Sequence, residues 1–178
     1  TFRQVLPRDL AGKKILVVLD QGIGDEIFFL RFVPQLEARG AAVSYRPDAR
    51  LAGMFRRAGI AEIVGDDVDE GNFDLKLAVA DLPCLLEMAD GDPIPPSIRL
   101  PALTEREEVF RRTLAAFGPP PYVGVTWRAG TRGRHHLLFK ETPLTRIARI
   151  LSGLDVRVVA LQRGPRDGEL AEFETALH

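Results

Sequence analysis

A short, unbroken apolar run, Ile15-Leu16-Val17-Val18-Leu19, ends at Asp20 and passes directly into Gln21-Gly22-Ile23-Gly24-Asp25. Five apolar residues rich in branched side chains suit a strand buried on both faces, as in a parallel sheet covered by helices. The turn after it opens a helical pattern in which Ile27, Leu30, Phe32, Val33 and Leu36 are apolar and Gly40 is the stop. Strand, glycine turn and helix in that order commit the chain to a doubly wound α/β sheet. The next segments fit the same plan. Ala42 to Tyr45 predicts a strand, Arg50 to Ala58 a helix, and Ile60 to Val64 a short strand after the break at Gly59.

Phe73 to Val79 predicts another strand, and Leu82 to Met88 a short helix holding the only cysteine, Cys84, as a core residue. Asp92-Pro93-Ile94-Pro95-Pro96 suits neither a helix nor the interior of a sheet. Thr104 to Phe117 predicts a helix with Thr104 as N-cap and Glu107 completing a capping box. Gly118-Pro119-Pro120-Pro121 then stops it, and the pattern restarts. Tyr122 to Trp127 predicts a strand, Arg128 to Lys140 a loop, the stretch from Thr142 or Pro143 to Leu151 a helix, Val156 to Leu161 a strand and Arg166 to Leu177 a helix. Two strands are too few for a covered sheet, so either they add to the first sheet or a Rossmann-like domain over residues 1–118 is followed by the beginning of a second over 119–178.

Charge excludes some functions and locates others. The 178 residues are 46% apolar and 28% charged with a formal net charge of −1, which gives no footprint for nucleic acid or an anionic membrane. No apolar run approaches the roughly 20 residues that cross a bilayer, and a single cysteine fits a reducing compartment, so the expected location is cytoplasmic. Between Glu62 and Asp92 the only base is Lys76, and this acidic stretch reads as solvated loops. Between Arg128 and Lys140 the sign reverses: Arg132, Arg134, His135 and His136 stand there without an acid.

The glycine turn is the strongest candidate site. Gly22 and Gly24 let a ligand approach the backbone, and Asp25 falls in the first helical turn at the carboxyl end of the strand, where doubly wound sheets bind ligands. A dinucleotide fingerprint needs a small residue where Ile27 stands, and Asp25 with Glu26 would repel a pyrophosphate. The acid therefore suits proton abstraction, although carboxylates also favour helix N-termini for purely structural reasons.

Three blocks together resemble a known family. Gly12 to Val17 with Asp20-Gln21-Gly22-Ile23-Gly24-Asp25-Glu26-Ile27 and Phe29-Leu30-Arg31-Phe32 form the first. Val123 to Gly130, followed by a basic loop and Lys140-Glu141-Thr142-Pro143-Leu144, form the second, and Val159-Ala160-Leu161-Gln162-Arg163-Gly164 the third. Their order and spacing over residues 12 to 170 resemble the glycosyltransferase domain of bacterial tetratricopeptide-repeat glycosyltransferases, relatives of the lipopolysaccharide heptosyltransferases.

The resemblance implies the two-domain GT-B fold, with an acceptor glycan or protein on the first domain and a nucleotide-sugar on the second. It implies Asp25 as catalytic base, with Arg128 and Lys140 on the donor phosphates. The expected reaction is an inverting transfer in which Thr142 bonds phosphate near a helix start; no metal cluster is visible in the sequence, and neither metal nor cofactor is expected. It further implies another half-domain, supplied by a longer chain or a partner subunit. The loop departs from the family pattern, carrying Thr131, Arg132 and Gly133 where an Asn-Pro-like pair and an acid are usual. A non-catalytic binding or scaffold module on the same fold, and a nucleotide-cofactor domain, are the alternatives. Trp127 is expected to pack at a strand end, Arg31 to face solvent, and Gln162 to lie at a strand end near the cleft.

Overall fold

The computed structural model describes residues 6–129 and 140–177. Contacts divide the chain into two units, one running to Ala102 and the other starting at Leu103. The division falls before the helix at Thr104 rather than after Gly118, where the sequence suggested a domain boundary.

The first unit holds β1 (Lys14–Val18), α1 (Ile23–Phe29), α2 (Val33–Ala38), β2 (Ala42–Arg46), α3 (Ala52–Ala58), β3 (Glu62–Ile63), β4 (Leu75–Ala78) and α4 (Leu82–Leu85). Its sheet is parallel throughout, in the order β3-β2-β1-β4. Ile15 sits opposite Val43 on one side and Leu75 on the other, so β1 is central, as its unbroken apolar run requires. Ile15, Leu16, Val17, Leu30, Val33, Leu36, Tyr45, Phe55, Val79 and Leu82 are completely buried. This is a Rossmann-like α/β sheet, as expected.

Local chemistry changes several boundaries. The helix expected from the glycine turn to Gly40 is interrupted by a 3₁₀ turn at Leu30–Phe32, with Pro34 in the first turn of α2. Proline has no N–H to give and its ring crowds the carbonyl four residues earlier, so the regular ladder breaks there. Pro83 likewise opens α4, which is only a single turn. That turn leaves Cys84 exposed, against the expectation of a core thiol. α3 ends as predicted, because Gly59 takes a left-handed conformation (φ 63°).

The second unit holds α5 (Thr104–Ala116), β5 (Tyr122–Val125), β6 (Arg128–Ala129), β7 (Lys140–Glu141), α6 (Leu144–Leu151), β8 (Arg157–Ala160) and α7 (Glu169–Leu177). Leu103, not Thr104, is the N-cap of α5, and no side chain caps it. The helix draws instead on Glu107 and Glu108 paired with Arg111, and Glu108 with Arg112, one turn apart. β5 and β8 pair in parallel, with Val123 opposite Val158. α6 and α7 pack beside them over Val125, Trp127, Leu144, Ala148 and Phe173, and the Trp127 and Phe173 rings lie 5.4 Å apart. Strand, loop, helix, strand repeats the plan of the first unit and opens a second Rossmann-like domain.

Candidate functional site

In the first unit the chain moves from β1 outward through β2 to β3, then returns to the other side of β1 as β4. That reversal makes the carboxyl ends of β1 and β4 a topological switch point, the place where doubly wound sheets bind ligands. Asp20 stands at the end of β1 and its Oδ1 accepts the Ala80 N–H, 3.4 Å away, just beyond β4. Gly22, Gly24 and Asp25 follow in the same turn.

Gly22 caps α1 in an extended conformation (φ −79°, ψ 165°), so the backbone there does not demand glycine. A Cβ on Gly24 would meet nothing within 4 Å. The second glycine thus leaves open space against the backbone, where a larger residue would stand in a ligand's way. Asp25 is exposed, and its Oδ2 accepts the Gly22 N–H at 3.3 Å. One oxygen thereby closes the turn, while Oδ1 has no hydrogen bond to any described residue.

The next residue is the opposite case. Glu26 is wholly buried, its Oε1 accepting the Tyr45 hydroxyl at 2.6 Å and the Asp48 amide at 3.0 Å. Burial pushes its carboxyl above the ordinary range, against the pull of the Tyr45 and Asp48 bonds. Burial, then the Glu26 hydrogen bond, pushes the Tyr45 hydroxyl up as well. Asp48 also grips Arg50 with both oxygens, at 2.8 and 2.7 Å, and those bonds bring the Asp48 carboxyl down to about 2. Sequence reasoning treated Glu26 only as a repellent to phosphate. The available signal was its spacing, since Glu26, Leu30 and Val33 form one stripe of the helical pattern and face inward together.

Arg31 does not project freely into solvent. Its Nε donates to the Phe28 carbonyl, Nη1 to the Pro95 carbonyl, and the guanidinium lies 4.2 Å over the Phe28 ring.

In the second unit, Arg128 opposes Glu141 and Ala129 opposes Lys140 across the short antiparallel pair β6–β7. The Thr142 amide donates to the Trp127 carbonyl at 2.8 Å, so Arg128, Lys140 and Thr142 come together at the base of the basic loop. Arg132, Arg134, His135 and His136, with the departing positions 131–133, lie outside the described residues. Lys140 is exposed and forms no ion pair among the described residues.

Arg128 has a different setting. Its guanidinium takes both oxygens of Glu169, contacts Glu141 at 3.5 Å and donates to the Gly164 carbonyl at 3.2 Å. Gln162 secures the same region: its Oε1 accepts from Thr126 Oγ1 and from the Trp127 and Arg128 amides, and its Nε2 donates to the Arg128 and Arg163 carbonyls. A single amide side chain thus joins the ends of the two parallel strands. The sequence placed Gln162 at a strand end but gave no sign of Glu169.

No family model matches the chain. It is 28% identical over 142 residues to Protein FlbA of Caulobacter vibrioides, an alignment covering 68% of this chain and 24% of that protein. The chain thus spans about a quarter of that relative's length. Among solved structures it is similar to the glycosyl transferase family 9 protein from Veillonella parvula, with a TM-score of 0.63 and 12% identity, over 95% of this chain and 67% of that one. Among the described residues no helix is long and apolar enough to cross a membrane. The parallel sheet, its glycine turn and the restarted second unit give the chain a Rossmann-like α/β fold similar to that of the glycosyl transferase family 9 structure.

Proposed function

We propose that this chain belongs to a glycosyltransferase that moves a sugar from a nucleoside-diphosphate donor to an acceptor hydroxyl with inversion. The observation that carries the reading is Asp25: an exposed carboxylate at the carboxyl end of β1, one oxygen closing the turn and the other without a described partner, in a fold matched along 95% of its length by a glycosyl transferase. A neutral hydroxyl is a poor nucleophile, and its proton has to leave as the bond to the sugar forms. A carboxylate placed to take it is worth about 10²–10⁴-fold in rate. The diphosphate departs with added negative charge, which nearby cations and hydroxyl donors stabilise.

Lys140 and Thr142 are the proposed partners of the diphosphate, because both are exposed beside β6. Arg128 contributes by holding this hairpin, and reaches a phosphate only by exchanging the Glu169 carboxylate for it. The acceptor is a glycan or a protein side chain, and the subtype a heptosyltransferase relative associated with tetratricopeptide repeats.

Calorimetric titration with UDP, ADP, GDP and their sugar conjugates tests this reading. One nucleotide should bind saturably, Lys140→Ala should weaken it, and turnover of the matching sugar conjugate should collapse in Asp25→Asn. Silence across the whole panel would remove the reading. The occupied fork of Arg128 supports one alternative, a binding module that keeps the fold without the chemistry. Saturable binding with no transfer would select it.

A further inference from the structure

The turn that carries Asp25 is fastened to the sheet by the residue after it. A carboxyl on the inward stripe of α1 is not what packing alone asks for, since Leu30 and Val33 continue that stripe as buried apolar residues. Glu26 instead sends one oxygen to two donors on different segments: the Tyr45 hydroxyl, in β2, and the Asp48 amide, in the loop beyond β2. Its other oxygen, Oε2, is buried without a partner among the described residues. An orphaned buried oxygen opposes folding, and a leucine would avoid that penalty. What leucine cannot do is join the turn after β1 to the loop after β2. Those two segments form adjacent walls at the carboxyl edge of the sheet.

Helix geometry connects this bond to Asp25. Successive residues on an α-helix are rotated by about 100°. With Glu26 pinned toward the sheet, Asp25 is turned outward, and its Oδ2 reaches the Gly22 amide. The groups facing Glu26 are Tyr45 from β2 with Asp48 and Arg50 from the loop, and Asp48 carries Arg50 to the surface in a two-pronged pair.

We propose that Glu26 is the positioning residue of this edge: its bonds to Tyr45 and Asp48 set the direction of Asp25 and hold the 47–50 loop as the neighbouring wall of the acceptor site. The proposal rests on the reading of Asp25 as base, but the hold itself is measurable without turnover. Glu26→Gln keeps the accepting oxygen, whereas Glu26→Ala removes both bonds and frees the loop.

The experiment is amide NMR on the isotopically labelled chain, comparing wild type with Glu26→Gln, Glu26→Ala and Tyr45→Phe. The Gly22 amide shift reports its bond to Asp25, and exchange of the Asp48 amide reports the loop. Glu26→Ala should displace the Gly22 signal and speed Asp48 exchange by about tenfold or more, while Leu77 in β4 stays protected. Glu26→Gln should leave both signals near their wild-type values. Unmoved Gly22 and Asp48 signals in Glu26→Ala would overturn the proposal. Should that variant not fold, Tyr45→Phe decides, since it removes one donor and should shift Gly22 in a smaller step.

Where the donor panel yields turnover, Glu26→Ala should lower kcat with the donor KM unchanged, and Glu26→Gln should restore it. An unaltered kcat in Glu26→Ala would equally overturn the role. Wild-type silence with every donor removes the transferase reading, and the two amide signals still decide whether Glu26 holds this edge.

Discussion

Arg128 and Glu169 meet as a two-pronged ion pair, Nη1 to Oε1 at 2.6 Å and Nη2 to Oε2 at 3.1 Å, across forty-one residues of sequence. Arginine presents parallel N–H groups to both carboxylate oxygens, the strongest arrangement available to such a pair. Glu169 is the first residue of α7 and also accepts the Arg166 amide, so the pair fastens the start of that helix to β6.

A pH dependence follows from it. The Arg128 guanidinium, ahead of the Arg166 amide, brings the Glu169 carboxyl down from 4.5 to about 2. Its stabilising contribution is therefore fully present above pH 4.5 and is lost as the pH falls toward about 2. Glu169→Gln should melt below wild type at neutral pH, and the gap should close through that acid window. Thermal melts across the window check it, and a gap that stays constant would separate the pair from stability.

Glu26 should show the opposite sign. Its carboxyl is raised by burial, so its contribution is fully present below pH 4.5 and is lost as the pH rises through the higher folded value. Glu26→Gln should gain on wild type between pH 4.5 and neutrality. Denaturation midpoints measured along that range give the answer.

Tyr45→Phe removes a fully buried hydroxyl and leaves Glu26 Oε1 with the Asp48 amide alone. The expected loss is about 0.5–3 kcal/mol, the range for one lost hydrogen bond to a neutral or charged partner. Urea unfolding of the variant measures it directly.

Two glycines should respond differently to alanine. Gly40 has φ 93°, and a Cβ there would stand 3.0 Å from the Ala11 Cα and 3.1 Å from its nitrogen. Backbone cannot step aside, so Gly40→Ala should cost about 1–3 kcal/mol in strain. A Cβ on Gly124 would stand 2.5 Å from Leu161 Cδ1 and 3.4 Å from its Cγ, but that side chain is 66% exposed and able to rotate away. Gly124→Ala should stay within about 0.5 kcal/mol of wild type. Equilibrium unfolding of the two variants side by side is the comparison.

The candidate site residues should separate by what they disturb. Asp25→Asn is expected to lower transfer by about 10²–10⁴-fold with little change in melting temperature. Lys140→Ala should weaken nucleotide binding and leave the melt unchanged, because it has no described ion pair to lose. Arg128→Ala should lower both, since it strands Glu169. Parallel melts and titrations resolve the three patterns.

The sheet was legible because its signals are local. Ile15 to Leu19 reads as a central strand from five consecutive residues, and Gly59 ends α3 by its own backbone preference. Pro34 and Pro83 were equally visible in the sequence, yet the apolar spacing around them outweighed their effect on the helix ladder. The place of Asp25 in the first helical turn after β1 was readable from the glycines around it. Glu169 was not, nor were the bonds of Gln162 to Thr126, Trp127 and Arg128, because those partners lie thirty-four or more residues away and no periodicity encodes a polar pairing at that range. Glu26 was hidden by its charge, which suggests a surface position until the Tyr45 hydroxyl is placed against it.

The Asp20–Ala80 contact has a consequence for how the chain assembles. It closes a loop of sixty residues, whereas β1 and β2 find each other across a much shorter one. Closing the longer loop costs more chain entropy, and contacts distant in sequence are the slow ones to form. Pairing can spread from β1 through β2 to β3 before the Asp20–Ala80 contact exists, because one of its two partners arrives only when the returning strand docks. The switch point is therefore a late product of folding. A nascent or partly unfolded chain has no half-built version of it, and a ligand that fits there reports on completion of the whole first unit.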